Sequence, residues 1–131
     1  KEMDAGAEPR VVPRDGVGEG DRIGDIGPDS EGLFAEALGK ARTVVWNGPM
    51  GVFELPPYSH GTVSVARSVA NVTDLGWVTV VGGGDSVSAA EQAGVSQRLS
   101  HVSTGGGASL EFLSGAQLPG VAALDTREGR E

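Results

Sequence analysis

Trp77-Val78-Thr79-Val80-Val81-Gly82-Gly83-Gly84-Asp85-Ser86 is the stretch on which the reading of this chain turns. Five consecutive β-branched or aromatic residues predict a buried strand, and three glycines stop it at once. Val87–Ala93 then reads as a helix, so strand passes to helix through a glycine turn. Glycines let the backbone approach a ligand closely. A helix start adds N–H groups without helical partners and the positive end of the dipole. Ser86 contributes a hydroxyl. Asp85 alone repels a phosphate and suits one only with Mg²⁺ between them. The same residues also fit a plain tight turn in which Asp85 or Ser86 caps the helix. Neither common nucleotide motif is complete: Val87 stands where the dinucleotide fingerprint has its third glycine, and no Walker A loop is present.

Outward from this stretch the pattern recurs. Thr43-Val44-Val45-Trp46 reads as a buried strand broken by Asn47-Gly48-Pro49-Met50-Gly51. His101-Val102-Ser103 is a very short strand running into Thr104-Gly105-Gly106-Gly107, then a helix over Ala108–Leu113 that Gly115 ends. Between the first two strands a helix over His60–Val72 places Val63, Ala66, Val69 and Ala70 inward. Upstream, Ser30 suits the cap of a helix with apolar Leu33, Phe34, Ala37, Leu38 and Ala41, and with Glu36 and Lys40 paired outside. Strands alternating with helices predict an α/β fold: a parallel sheet with flanking helices, a Rossmann-like three-layer sandwich present here as a partial domain. Ligands of such sheets sit beyond the carboxyl ends of the strands, where every glycine cluster here falls.

Composition narrows the partners. The chain has 131 residues, no cysteine, 22 glycines and a formal charge of −8. That charge argues against nucleic acid and against an anionic membrane surface, while leaving small phosphorylated ligands open. Thiolate metal sites and disulfides are excluded. With no run as long as a membrane span and an opening unlike a signal peptide, a cytoplasmic location is the expectation. Residues 1–22, polar and rich in Gly and Pro, read as a connecting segment, and 23–131 as the folded unit.

The remaining candidates are sorted by chemistry. Glu54 suits two vicinal hydroxyls, the carboxylate role on a ribose, and Asn47 offers an amide at a strand end. Trp46 and Phe53 read as core residues, and His60 and His101 as structural, since neither has a partner at ligand or triad spacing. Between Thr43 and Gln97 the only cation is Arg67, and none stands between Leu99 and Thr126. Moving a phosphoryl group calls for positive charge from Lys, Arg or metal. Side-chain cations for that chemistry must come from outside this stretch.

WNGPMGVFE (46–54), VVGGGDS (80–86), SHVSTGGGASLEFLSG (100–115) and LPGVAAL (118–124), with DIGPDS at 25–30, resemble the phosphoglycerate kinase family in order and approximate spacing. The resemblance covers about Ile23 to Leu124 and points to the family's C-terminal, nucleotide-binding portion. It implies Mg²⁺ and ADP or ATP as cofactors, and phosphoryl transfer between 1,3-bisphosphoglycerate and ADP in glycolysis. It further implies a monomeric enzyme whose N-terminal portion has no counterpart in this chain. By motif match Asn47, Gly48 and Val52 line the nucleotide site, with Gly82, Gly83 and Gly84, and Glu54 holds the ribose. Asp85 takes the metal and Ser86 a nucleotide phosphate. Gly84, Gly105, Gly106 and Gly107 cradle the transferring group. Ile23-Gly24 departs from the pair many members place at the adenine pocket. A non-catalytic nucleotide- or anion-binding module is the alternative.

Overall fold

The computed structural model describes residues 3–124. The element order is α1 (Pro28–Gly39), β1 (Thr43–Asn47), α2 (His60–Asp74), β2 (Val78–Gly82), α3 (Gly84–Gln92), β3 (His101–Ser103), α4 (Gly106–Leu113) and α5 (Pro119–Ala122). The part of the expected 23–131 unit beyond residue 124 lies outside the described residues.

Three parallel strands lie in the order β1-β2-β3, with Trp46 beside Val81 and Val81 beside Val102. Side chains alternate across a sheet, so Val44, Trp46, Thr79 and Val81 share one face. Against that face pack Val65, Ala66, Val69 and Ala70 of α2, and Ala89 and Ala90 of α3. The α/β class, the parallel sheet and its flanking helices are therefore those expected. On the opposite face Val45 and Val78 are exposed, at 46% and 52%. Ser109 of α4 approaches this second face over Gly82.

Small residues on α2 and α3 explain the close seating. Ala66, Val69 and Ala70 have no exposed surface, so helix and strand meet with no long side chain between them. Truncation there leaves a void that a close-packed layer fills poorly. Val69→Ala is expected to cost about 2 kcal/mol, read as a lower urea midpoint with an unchanged slope.

Boundaries differ from the sequence reading in instructive ways. Helix α1 begins at Pro28 behind an N-cap Gly27 and receives no cap from Ser30. Its Leu33 and Phe34 are exposed, because α1 packs on α2 and leaves one of its apolar sides uncovered. Glu36 and Lys40 do pair, at 2.6 Å on the surface. Helix α3 starts at Gly84, three residues earlier than expected. Residues 3–22 are tied locally: Arg10 Nη2 lies 2.9 Å from Asp21 Oδ2. The Gly18 N–H donated to that carboxylate, and then Arg10, hold its pKa below the usual value.

A buried polar knot lies at the amino ends of the strands. Thr79, fully buried, shares a 2.6 Å hydroxyl contact with Thr73 and accepts the Ser100 N–H at 3.2 Å. Nothing in the strand pattern announces it, since Thr is an ordinary strand residue.

Candidate anion site at the carboxyl edge of the sheet

The three glycine junctions, separate in sequence, meet at one edge. Trp46 Nε1–H donates to the Gly48 carbonyl at 2.7 Å and so shapes the turn after β1, with Gly48 at φ +98°. The Gly48 N–H donates to Ser86 Oγ at 2.6 Å, joining the first junction to the second. Asn47 Nδ2 lies 3.5 Å from the Gly106 carbonyl, joining the first to the third. The Gly83 N–H donates to the Ser103 carbonyl at 3.0 Å, joining the second to the third.

Gly106 of the third junction also lies hard against Gly83 of the second. A Cβ added at Gly106 would stand 2.6 Å from the Gly83 Cα and 2.9 Å from its nitrogen. Backbone touches backbone there, which only glycine permits. Gly83, at φ +96°, is the N-cap of α3, and Gly106 is the first residue of α4. The two helices thus begin side by side, and neither start is capped by a side chain. Uncapped first-turn N–H groups with no helical partner, at two positive dipole ends, form a site for an anion. Gly84 and Gly107 face open space, while Gly105 lies exposed beside them.

Asp85 stands exposed in the first turn of α3 and caps nothing. Among the described residues no three His, Cys, Asp or Glu side chains gather as a metal-binding group. One accessible carboxylate beside an anion site suits Mg²⁺, which keeps water and phosphate oxygens for most of its shell.

Ser86 differs from its expected placement. Its side chain is 1% exposed and its Oγ accepts the Gly48 N–H, so it braces two junctions rather than facing outward. Helix α3 starts early enough to turn Ser86 inward, which the strand-then-helix pattern did not show. Val52 is half-buried, its N–H donating to the Gly24 carbonyl at 2.9 Å, and Glu54 is exposed nearby. Trp46 and Phe53 are buried core residues, as expected. His60 sits 3.2 Å from Glu31 on the surface, and His101 is exposed.

Three of the described cations are engaged away from these junctions. Arg98 pairs with Asp74, the last residue of α2, and bonds Asn71. Arg42, just ahead of β1, stacks over Trp77, 4.6 Å from the ring centroid. Arg67 lines a cleft between α1 and α2 with Glu31 and His60. Among the described residues, the candidate site is built from backbone, with the Asn47 amide and the Asp85 carboxylate beside it.

Fold and site together define an α/β protein whose parallel strands end at an edge of glycine turns and uncapped helix starts. The phosphoglycerate kinase family model matches residues 1–116. The chain belongs to that family. The chloroplastic phosphoglycerate kinase of Chlamydomonas reinhardtii is 56% identical over 125 residues, which is 95% of this chain and 27% of the relative. That of Gloeobacter violaceus is 59% identical over 119 residues, 91% of this chain and 28% of the relative. Among solved structures, phosphoglycerate kinase from Coxiella burnetii superposes with a TM-score of 0.84 at 40% identity, covering 92% of this chain and 30% of that one. The chain thus spans less than a third of the length of these relatives.

Proposed function

We propose that this chain is the C-terminal, nucleotide-binding portion of a phosphoglycerate kinase. It supplies the nucleotide and Mg²⁺ side of phosphoryl transfer between 1,3-bisphosphoglycerate and ADP. The observation that carries the reading is the pair of uncapped helix starts held together by Gly83 and Gly106, with Asp85 exposed beside them.

In this reading the loop at the end of β1 receives the nucleoside. Asn47, Gly48 and Val52 line it, and the exposed Glu54 accepts from the ribose hydroxyls. Gly82, Gly83 and Gly84 bring the α3 start to the nucleotide phosphates, where Asp85 would hold Mg²⁺ and the ion would supply positive charge for the transfer. Ser86 serves the phosphates from beneath, its buried Oγ fixing the Gly48 N–H and so the turn beside them. The α4 start, at Gly105, Gly106 and Gly107, meets the transferring phosphoryl with backbone N–H groups fixed before the reaction begins. The phosphoglycerate and the side-chain cations belong to a remaining portion of the same enzyme. Isolated, this chain binds but does not turn over.

Calorimetry of the 131-residue chain checks this. MgADP is expected to bind with a dissociation constant on the order of 0.1–1 mM, as one wall of a site gives up part of the contact area. No heat at millimolar MgADP from a folded sample would remove the nucleotide reading. Turnover by the chain alone in a coupled assay would remove the claim that cations are missing, and leave a complete catalyst to explain.

A further inference from the structure

The loop between β1 and α2 has no strand or helix of its own around Gly48–Val52, so its shape depends on what its N–H groups find. Two of them find a single buried hydroxyl. Thr62, in the first turn of α2 and 1% exposed, accepts the Met50 N–H at 3.1 Å and the Gly51 N–H at 3.3 Å through Oγ1. The preceding residue, Gly61, donates its N–H to Asp25 Oδ2 at 2.8 Å, while Asp25 Oδ1 takes the Ile26 N–H at 2.8 Å. Gly24 holds Val52, and Ser86 holds Gly48. Four consecutive loop donors apart from Pro49 are thereby fixed from three separate parts of the fold.

We propose that Thr62 is a positioning residue for the nucleoside, setting the β1–α2 loop through the Met50 and Gly51 N–H groups, with Asp25 anchoring the helix start from which it acts. The inference rests on the nucleotide reading above. Thr62 lies outside the quoted motif segments, and its hydroxyl is engaged by loop N–H groups alone among the described hydrogen bonds. Its burial in an otherwise apolar helix face has a cost that its two acceptor contacts offset. A valine of the same shape would pack equally well there and leave two N–H groups with no partner.

The test compares Thr62→Val with Thr62→Ser in the 131-residue chain. In the absence of ligand, amide hydrogen exchange at Met50 and Gly51 is expected to speed up roughly tenfold in Thr62→Val. Val69 and Val81 amides should keep their protection, and Thr62→Ser should exchange like the parent. Adenosine affinity is expected to fall about tenfold in Thr62→Val, while Mg-pyrophosphate, which meets the helix starts alone, binds as before. Unchanged exchange at Met50 and Gly51 would overturn the inference, as would equal losses for adenosine and Mg-pyrophosphate. A parent chain with both amides protected but no adenosine binding defeats the nucleotide reading, and this inference with it. Should Thr62→Val not fold, Asp25→Asn is read by the same two measurements: it loosens the Gly61 anchor and is expected to shift both in the same direction. A parent-like Asp25→Asn would then overturn the inference.

Discussion

Gly106→Val in the complete enzyme is expected to reduce phosphoryl transfer by at least about a hundredfold, because misplacement of a cradle by ~1 Å has that consequence. A first Cβ at this position already falls 2.6 Å from the Gly83 Cα, and what it meets is backbone on both sides. Neither helix start can yield by rotating a side chain. Asn47 Nδ2, 3.0 Å from the same point, would be displaced as well. The α4 start must move off the α3 start, and the N–H groups lose their common focus. Overpacking of this kind also destabilises by roughly 1–3 kcal/mol. Steady-state kinetics and nucleotide affinity measured together are the check. Under the proposed reading, in which the β1 loop and α3 hold the nucleotide, turnover should collapse while affinity changes much less. Full turnover in a folded Gly106→Val enzyme would show that the contact between the two starts is dispensable.

Asp85→Asn is expected to weaken MgADP binding by about ten- to a hundredfold, the range in which loss of a charged ligand at an exposed site falls. Metal-free ADP should bind as well as before, or better, because a carboxylate that repels phosphate has been removed. Asp85 is exposed in the first turn of α3, and among the described residues its side chain makes no cap and no hydrogen bond. Titration with ADP in magnesium and in chelator separates the two roles. Equal weakening under both conditions would assign Asp85 to the helix rather than to the metal.

Much of the fold was legible from β-branched runs and helical spacing. Val78–Val81 and Thr43–Trp46 are strands of a parallel sheet, buried on one face and not on both as their apolar runs suggested, and the inward residues Ala66, Val69 and Ala70 of α2 have no exposed surface. The edge to which the glycines gather followed from the alternation of strands and helices. What resisted reading was the direction of individual side chains where a helix begins. Asp85 and Ser86 are neighbours and both polar, and the early start of α3 turns the charged one outward and the hydroxyl inward. Leu33 and Phe34 have the spacing of a buried face but are exposed, because periodicity reports an apolar stripe and not what covers it. Thr62 was invisible for the opposite reason. A lone threonine in a helix gives no signal until the loop it holds is seen beside it.

The contact of Gly83 with Gly106 carries one more consequence. Two helices set down with their amino ends touching place two partial charges of the same sign together, and those charges repel. Packing elsewhere in the fold holds them there. An anion arriving between them therefore relaxes the protein while it is being bound, like a keystone lowered into an arch that leans apart without it. Were an anion to bind there, its capture and the settling of this edge of the sheet would be a single event.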